Sequence, residues 1–135
     1  MRIFFDASAL VPLIVLRDQW RAALEFLLAP HRASGYELVT TNWTLFEALP
    51  IAARRGHPTA VTLFQHVSRA GAIVRIDDAT ETEALRRFLT WDDKSASVVD
   101  HANALVAMAT RCDAIVSFDD DFVPLAAAAG LRILR

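Results

Sequence analysis

Short apolar runs alternate with longer amphipathic stretches along the whole chain. The runs are three to five residues long and carry few charges, as is typical of strands that are buried on both faces of a sheet. They predict five strands, at residues 3–5, 37–41, 72–76, 114–117 and 131–134. Because a longer stretch separates each strand from the next, the pattern favours parallel strands joined by helices.

The stretches between the strands have helical periodicity and recognisable start and stop signals. They predict helices that open at Asp6 and then cover residues 18–29, 42–55, 57–70, 78–91, 96–111 and 120–129. Asn42 is the expected N-cap of its helix, residues 78–81 resemble a capping box, and Pro58 suits a first helical turn. The fold class is therefore α/β, with a parallel sheet covered on both faces.

Composition indicates one globular domain over residues 1–135, a length sufficient for a hydrophobic core. Apolar residues make up 54% of the chain and the mean hydropathy is +0.30, which argues against disorder. The longest apolar run, residues 9–16, is far shorter than the roughly 20 residues that span a bilayer, so no membrane segment is expected. An acidic residue at position 6 argues against a secretory signal.

Cysteine and charge narrow the function classes further. Cys112 is the only cysteine, so an internal disulfide is impossible and a reducing cytoplasm fits. One cysteine and four histidines argue against a structural zinc site. The net charge of −2 does not exclude a nucleic-acid partner, because acids gathered at one metal site would leave the remaining surface positive.

Acidic residues follow two of the predicted strands. Asp6 comes directly after the first strand, and Asp119, Asp120 and Asp121 follow the fourth. The carboxyl ends of parallel strands share one edge of the sheet, where ligands bind in open α/β folds. We therefore expect these carboxylates to lie close together.

Two further acids lie in helices next to that edge. Glu47 has Trp43 and Ile51 as its i−4 and i+4 neighbours, so its carboxylate is expected on a partly apolar stripe. A desolvated carboxylate there needs a cation or a hydrogen-bond donor. Asp100 begins its helix, and the residues on its face are small or polar, which allows another element to approach closely.

Each acid also has a purely structural interpretation. Asp6 and Asp119 could cap the helices that follow them, Ser97 and Asp100 could form a capping pair, and Glu47 could pair with Arg54 or Arg55. A shared site explains the whole set better, because four converging carboxylates repel one another unless a cation is bound. Carboxylate oxygens favour Mg²⁺ or Mn²⁺.

Four segments resemble the sequence motifs of PIN domains, in the right order over residues 3–134. The first is Asp6-Ala7-Ser8-Ala9-Leu10 after a hydrophobic strand, and the second is residues 40–47 with their single glutamate. The third has the pattern Asp93-Lys94-x-x-Ser97-x-x-Asp100, and the fourth is residues 117–122. By these motifs the chain is identified as a member of the PIN-domain family and resembles its VapC-type toxins.

The resemblance implies a three-layer α/β/α fold with five parallel strands in the order 3-2-1-4-5. It also implies an Mg²⁺-dependent endoribonuclease, in which Mn²⁺ can substitute, that leaves 5′-phosphate and 3′-hydroxyl ends on its RNA substrate. Short family members of this type are homodimers and act as toxins that a VapB-like antitoxin neutralises.

The resemblance also assigns roles to residues. The implied catalytic acids are Asp6, Glu47, Asp100 and Asp119. Asp6 and Asp100 are the expected direct metal ligands, while Glu47 and Asp119 are expected to act through water. Asp121 is an accessory acid and Ser117 is the small hydroxyl beside the site. Arg17 and Lys94 are the cations expected to contact RNA.

Several interpretations stay open at this stage. Pro50 lies inside the helix of Glu47 and is expected to kink it one turn beyond that residue. Leu63, Phe64 and Val67 share a helical face that is either core or a dimer contact. His101 projects about 100° away from Asp100 around the helix, so a structural role is expected for it.

Three other functions place acids at the ends of strands or share this fold. A receiver domain would need a lysine after the fifth strand, and a haloacid-type phosphatase would need Asp-x-Asp after the first strand; neither is present. The alternative that remains is a catalytically silent PIN module that binds RNA or protein. RNA cleavage that is lost in Asp6→Asn or Asp100→Asn separates the two.

Overall fold

The computed structural model describes residues 1–92 and 95–135 and contains one five-stranded parallel sheet. The strands are β1 (Arg2–Phe5), β2 (Glu37–Thr41), β3 (Gly71–Val74), β4 (Ala114–Val116) and β5 (Ile133–Leu134). Their spatial order is β3-β2-β1-β4-β5, which confirms the order that the resemblance implied. β1 is central, and its carboxyl end lies between those of β2 and β4.

Helices connect the strands and cover both faces of the sheet. They are α1 (Ala7–Ile14), α2 (Arg21–Arg32), α3 (Asn42–Ala53), α4 (His57–Ala70), α5 (Asp78–Thr90), α6 (Val98–Ala109) and α7 (Val123–Ala128), with a 3-10 turn at Asp120–Phe122. Ile3 and Phe5 face a core built with α1 to α4, while Phe4 faces a second core built with α6 and α7. Alternate residues of one strand thus enter different cores, giving the three-layer α/β/α fold.

Gly71 fixes where β3 begins, one residue before the predicted start. It is paired with Leu38 in the register of β2 and β3. A Cβ atom at position 71 would come within 2.7 Å of the Leu38 side chain and 3.0 Å of its carbonyl oxygen. Glycine therefore permits the close approach that aligns this edge of the sheet.

The N-caps of two helices differ from those predicted. The N-cap of α3 is Thr41, not Asn42; its hydroxyl oxygen accepts a hydrogen bond from the Thr44 N–H at 3.1 Å. Asn42 Oδ1 instead accepts from the N–H of Ile76 at 2.9 Å, and so connects α3 to the segment after β3. Asp77 caps α5, so the capping box predicted at 78–81 is wrong.

The start of α2 also differs, because Asp18 forms a turn instead of opening the helix. Its Oδ1 accepts from the Trp20 N–H at 2.8 Å, and α2 begins at Arg21. The helix then continues through Pro30 to Arg32, three residues beyond the predicted end. α3 likewise continues through Pro50 to Ala53, so Glu47 keeps its place in regular helix.

Core burial is confirmed for two of the three residues on the face of α4, and the dimer contact stays a prediction. Leu63 and Val67 are fully buried in the core, whereas Phe64 is 48% exposed.

Within the described residues, no helix has the length and apolar character needed to cross a bilayer.

Candidate active site

Asp6 lies where β1 ends and α1 begins, and only 4% of it is exposed. Its Oδ1 accepts from the Ala9 N–H at 3.1 Å and from the Ser8 hydroxyl at 2.6 Å. Its Oδ2 accepts a hydrogen bond from the Ser117 hydroxyl. The carboxylate therefore caps the helix, as the structural interpretation expected, and these three donors hold it at the carboxyl end of the central strand.

Burial raises the pKa of Asp6 to about 6. The three hydrogen bonds oppose this shift, and the negative charge of Asp100 adds to it. A buried carboxylate whose ionised form is destabilised binds a cation favourably, because the cation restores the electrostatic stabilisation that water no longer supplies.

Asp100 is half-buried in the first turn of α6, where it forms a capping box with Ser97. The Asp100 N–H donates to the Ser97 hydroxyl at 3.1 Å, and Asp100 Oδ2 accepts from the Ser97 N–H at 2.9 Å. Burial raises the pKa of Asp100, the Ser97 hydrogen bonds lower it, and the charges of Asp119 and Asp121 raise it. The capping interpretation is thus confirmed, and the same carboxylate also lies within the field of other acids.

Glu47 lies in the second turn of α3 and is more exposed than its apolar neighbours predicted. Trp43 is half-buried, but Ile51 is 40% exposed, so the stripe opens to solvent. Partial burial of the carboxyl group is the largest cause of a raised Glu47 pKa, followed by the charges of Asp100 and Asp6. Within the described residues Glu47 forms no ion pair, so the proposed pairing with Arg54 or Arg55 is wrong.

Asp119 follows β4 and caps the 3-10 turn, with its Oδ1 accepting from the Asp121 N–H at 2.9 Å. It is exposed, and Asp121 is half-buried. Ser117 connects this segment to the centre of the site, because its buried hydroxyl donates to Asp6 and accepts from the Asp119 N–H at 3.1 Å. One hydroxyl thus fixes the ends of β1 and β4 relative to each other.

The five acids are electrostatically coupled, and we call them the acidic edge: Asp6, Glu47, Asp100, Asp119 and Asp121. Asp6 and Glu47 each experience the charge of Asp100, and Asp100 experiences those of Asp119 and Asp121. Among residues 1–92 and 95–135, no three acid, histidine or cysteine groups are already drawn together as tightly as around a bound metal. The donors are nevertheless hard carboxylate oxygens that repel one another, which chemically suits a divalent cation.

A buried hydroxyl–amide network beside the acidic edge was not predicted from the sequence. Asn103 Oδ1 accepts from the Thr44 hydroxyl at 2.8 Å and from the Thr41 hydroxyl at 3.2 Å. All three residues are at least 98% buried. Asn103 follows Asp100 by one helical turn, so the network ties the helix of Glu47 to the helix of Asp100.

Of the two cations predicted to contact RNA, the structure describes only Arg17, and its contact with RNA stays a prediction. Arg17 lines a depression of about 230 Å³ together with Arg55 and Thr59, near the end of α1. Within the described part of the chain, Arg17 forms no ion pair. Lys94 lies outside the described residues, so its role stays a prediction.

His101 packs among aromatic rings, as expected for a structural role, and Cys112 is also buried. His101 is 1% exposed and lies edge-on to Phe88 and Trp91, with ring centroids 6.4 Å and 5.5 Å away. Its pKa is lowered by burial and then by the charge of Arg87. Cys112 is buried in the second core.

Residues 3–128 match the family model of the PIN domain. Among solved structures, VapC20 of Mycobacterium tuberculosis, described as a sarcin-ricin-loop-cleaving toxin, superposes with a TM-score of 0.78 at 24% identity. That match covers 96% of this chain and 95% of the toxin. No curated protein sequence matches the chain.

Two further solved structures contain similar folds. FitAcB of Neisseria gonorrhoeae matches with a TM-score of 0.66 at 15% identity, over 98% of this chain and 96% of that one. VapBC2 of Rickettsia felis, bound to a DNA fragment from its promoter, matches with a TM-score of 0.66 at 14% identity, over 98% and 97%. At these identities the likeness establishes the shared fold.

Proposed function

The chain belongs to the PIN-domain family, and on that basis we propose that it is an Mg²⁺-dependent endoribonuclease acting as the toxin of a toxin–antitoxin pair. The observation that carries the proposal is the acidic edge, where burial and the charges of neighbouring acids raise the pKa of Asp6, Glu47 and Asp100. Such an arrangement is unfavourable in an isolated fold and becomes favourable when a divalent cation is bound.

The proposed roles follow from burial and hydrogen bonding. Asp6 and Asp100, the more buried acids, would hold the metal directly, while Glu47 and Asp119, which are exposed, would act through water. Asp121 is accessory. When bound, the metal supplies a Lewis acid that makes water nucleophilic near neutral pH and stabilises charge on the departing 3′ oxygen. Mn²⁺ would serve in place of Mg²⁺.

The serine hydroxyls would keep Asp6 ready for this task. Ser8 and Ser117 donate to its two carboxylate oxygens, which favours the ionised form and restricts rotation of the group. Ser117 would also hold Asp119 through its backbone N–H. We assign these serines to positioning, because each acts through an acid.

The proposed partners are RNA, a second copy of the chain and a VapB-like antitoxin, in the cytoplasm. Structural likeness to a sarcin-ricin-loop-cleaving toxin and to VapBC2 supports this assignment. Arg17, whose side chain is free of ion pairs in the described residues, is available for an RNA phosphate, and Lys94 is proposed for the same role. We further propose that residues 1–135 form a single domain of the family.

The direct test compares RNA cleavage by the wild-type protein with that by Asp6→Asn and Asp100→Asn, in Mg²⁺ and in EDTA. We expect cleavage in Mg²⁺ alone, with 5′-phosphate ends, and a loss to about one hundredth or less in each variant. Asp120→Asn is the matched control, because Asp120 is exposed and pairs with Arg135. It should cleave at the wild-type rate.

The silent-module alternative is favoured by the absence of a tight three-ligand group among the described residues. It predicts RNA binding that neither EDTA nor Asp6→Asn alters, without new RNA ends. That result would overturn the nuclease proposal while leaving the family assignment intact.

A further inference from the structure

Trp20 presents an exposed aromatic ring next to the acidic edge. It precedes α2 and is 38% exposed. Its ring stacks on Phe118, with centroids 4.9 Å apart and planes only 1° from parallel. Phe118 is buried and lies between Ser117 and Asp119 in sequence, so this aromatic pair borders the site directly.

Hydrogen bonds hold the pair in place from both sides. Asp18 Oδ1 accepts from the Trp20 N–H at 2.8 Å, and the Trp20 carbonyl accepts from the Leu24 N–H at 2.8 Å. On the other side, the Phe118 N–H donates to the Ser8 hydroxyl at 2.8 Å, and that hydroxyl donates to Asp6. Two hydrogen bonds through the Ser8 hydroxyl thus connect the Trp20–Phe118 pair to Asp6.

The surroundings of Trp20 suit a nucleic acid better than an apolar protein segment. Asp18 and Gln19 precede it, and Arg17, three residues earlier in the chain, has no ion pair among the described residues. Proteins that bind single-stranded RNA combine such free cations with rigid aromatic rings on which bases stack. A tryptophan fixed by its neighbours loses little conformational entropy when a base stacks on it.

We propose that Trp20 stacks an unpaired nucleobase beside the phosphodiester that the acidic edge cleaves. The inference rests on the proposed ribonuclease function, since it places the substrate relative to that site. Trp20 is then a positioning residue, and it would favour single-stranded or looped RNA over a duplex, in which the bases are already stacked.

Tryptophan fluorescence tests the contact without any cleavage. The chain has three tryptophans, so Trp43→Phe with Trp91→Phe leaves Trp20 as the sole reporter. In EDTA, a decameric oligoadenylate should quench its emission at least twofold, whereas an abasic decamer with the same phosphates should not. Quenching by both, or by neither, would contradict stacking.

Substitution of Trp20 supplies the second readout. Trp20→Leu should raise the dissociation constant for the decamer about tenfold, whereas Trp20→Phe, which keeps a ring, should raise it about threefold or less. Thermal unfolding of both variants checks that they fold alike. Equal affinities for both variants and the wild type would overturn the proposal and leave the ring free to contact a protein partner.

The experiment also separates this inference from the proposed function. If Mg²⁺-dependent cleavage is present and KM is unchanged in Trp20→Leu, the stacking proposal fails and the nuclease proposal stands. If the decamer quenches Trp20 but no RNA is cleaved in Mg²⁺, the stacking proposal stands and the nuclease proposal fails. A higher KM with kcat little changed is the expected outcome.

Discussion

At the scale of single residues, Asp6 combines an observed structural role with the chemical role that we propose for the same carboxylate. It caps α1, accepts two serine hydroxyls and remains almost fully buried. Its pKa of about 6, raised from the ordinary aspartate value of 3.8, means that the ionised form is less favourable in the folded protein than in the unfolded chain. The ionised Asp6 carboxylate therefore lowers the free energy of unfolding, as is common for groups at functional sites.

This destabilisation predicts an unusual pH dependence of the thermal stability of the metal-free protein. Because the folded-state pKa is raised, the contribution of Asp6 to stability is present below about pH 4 and is lost as the pH rises through 6. A shift of about two units corresponds to at most roughly 3 kcal/mol. In EDTA at pH 8, Asp6→Asn should therefore unfold several degrees above the wild type, and at pH 4 the difference should vanish.

Thermal unfolding in EDTA and in Mg²⁺ measures this effect. Added Mg²⁺ should stabilise the wild type and should stabilise Asp6→Asn much less, because the variant lacks one of the two proposed direct ligands. An Asn variant that is less stable than the wild type at pH 8 in EDTA would show that hydrogen bonding, not burial, dominates at Asp6.

At the scale of elements, the relative placement of α3 and α6 sets the distance between Glu47 and Asp100. The buried network of Thr41, Thr44 and Asn103 spans these helices. The amide oxygen of Asn103 accepts both hydroxyls, so removing it leaves the Thr44 hydroxyl without that acceptor in a buried position.

We expect Asn103→Leu to lower the free energy of unfolding by about 1–3 kcal/mol and to weaken Mg²⁺ binding about tenfold. Thr40→Val is the matched control, since Thr40 is also fully buried and its hydroxyl donates to the Phe5 carbonyl within the sheet. It should lose comparable stability without a change in metal affinity. Equal metal affinities in both variants would show that the network does not position the acids.

Helix termini mark the limit of prediction from the sequence at this scale. Thr41 and Asn42 are both good caps, and the choice between them depends on the Ile76 N–H, which binds Asn42 from another segment. The Asn103 network was missed for the same reason, because its partners lie about 60 residues away along the chain. Local pattern defines which helices exist, and long-range hydrogen bonds define where they begin.

At the scale of the whole molecule, sheet order is what gathers the acids. β1 and β4 are neighbours, so Asp6 and Asp119 meet at one edge although 113 positions separate them in sequence. The apolar runs predicted that both acids lie at the carboxyl edge of one parallel sheet, and the resemblance to PIN domains supplied the strand order that makes β1 and β4 neighbours. Burial was less predictable: Glu47 lies on an apolar stripe in sequence but opens to solvent, because Ile51 stays outside the core.

The proposed homodimer belongs to the same scale. Phe64 is 48% exposed beside a depression of about 240 Å³ that Leu49 and Val61 also line. Phe64→Arg should convert a dimer to a monomer in light scattering, because the buried face would then carry an unpaired charge. Phe26→Arg is the control: Phe26 is 79% exposed on α2, and its variant should remain dimeric. A dimeric Phe64→Arg would remove this face from the interface.

The central claim is that the acidic edge holds a divalent metal, and calorimetric titration of Mn²⁺ into the metal-free protein at pH 8 tests it most directly. The account predicts saturable uptake that Asp6→Asn and Asp100→Asn each weaken at least about tenfold, and that Asp120→Asn leaves unchanged. Absence of saturable uptake by the folded wild type, or uptake that both substitutions leave intact, would contradict it.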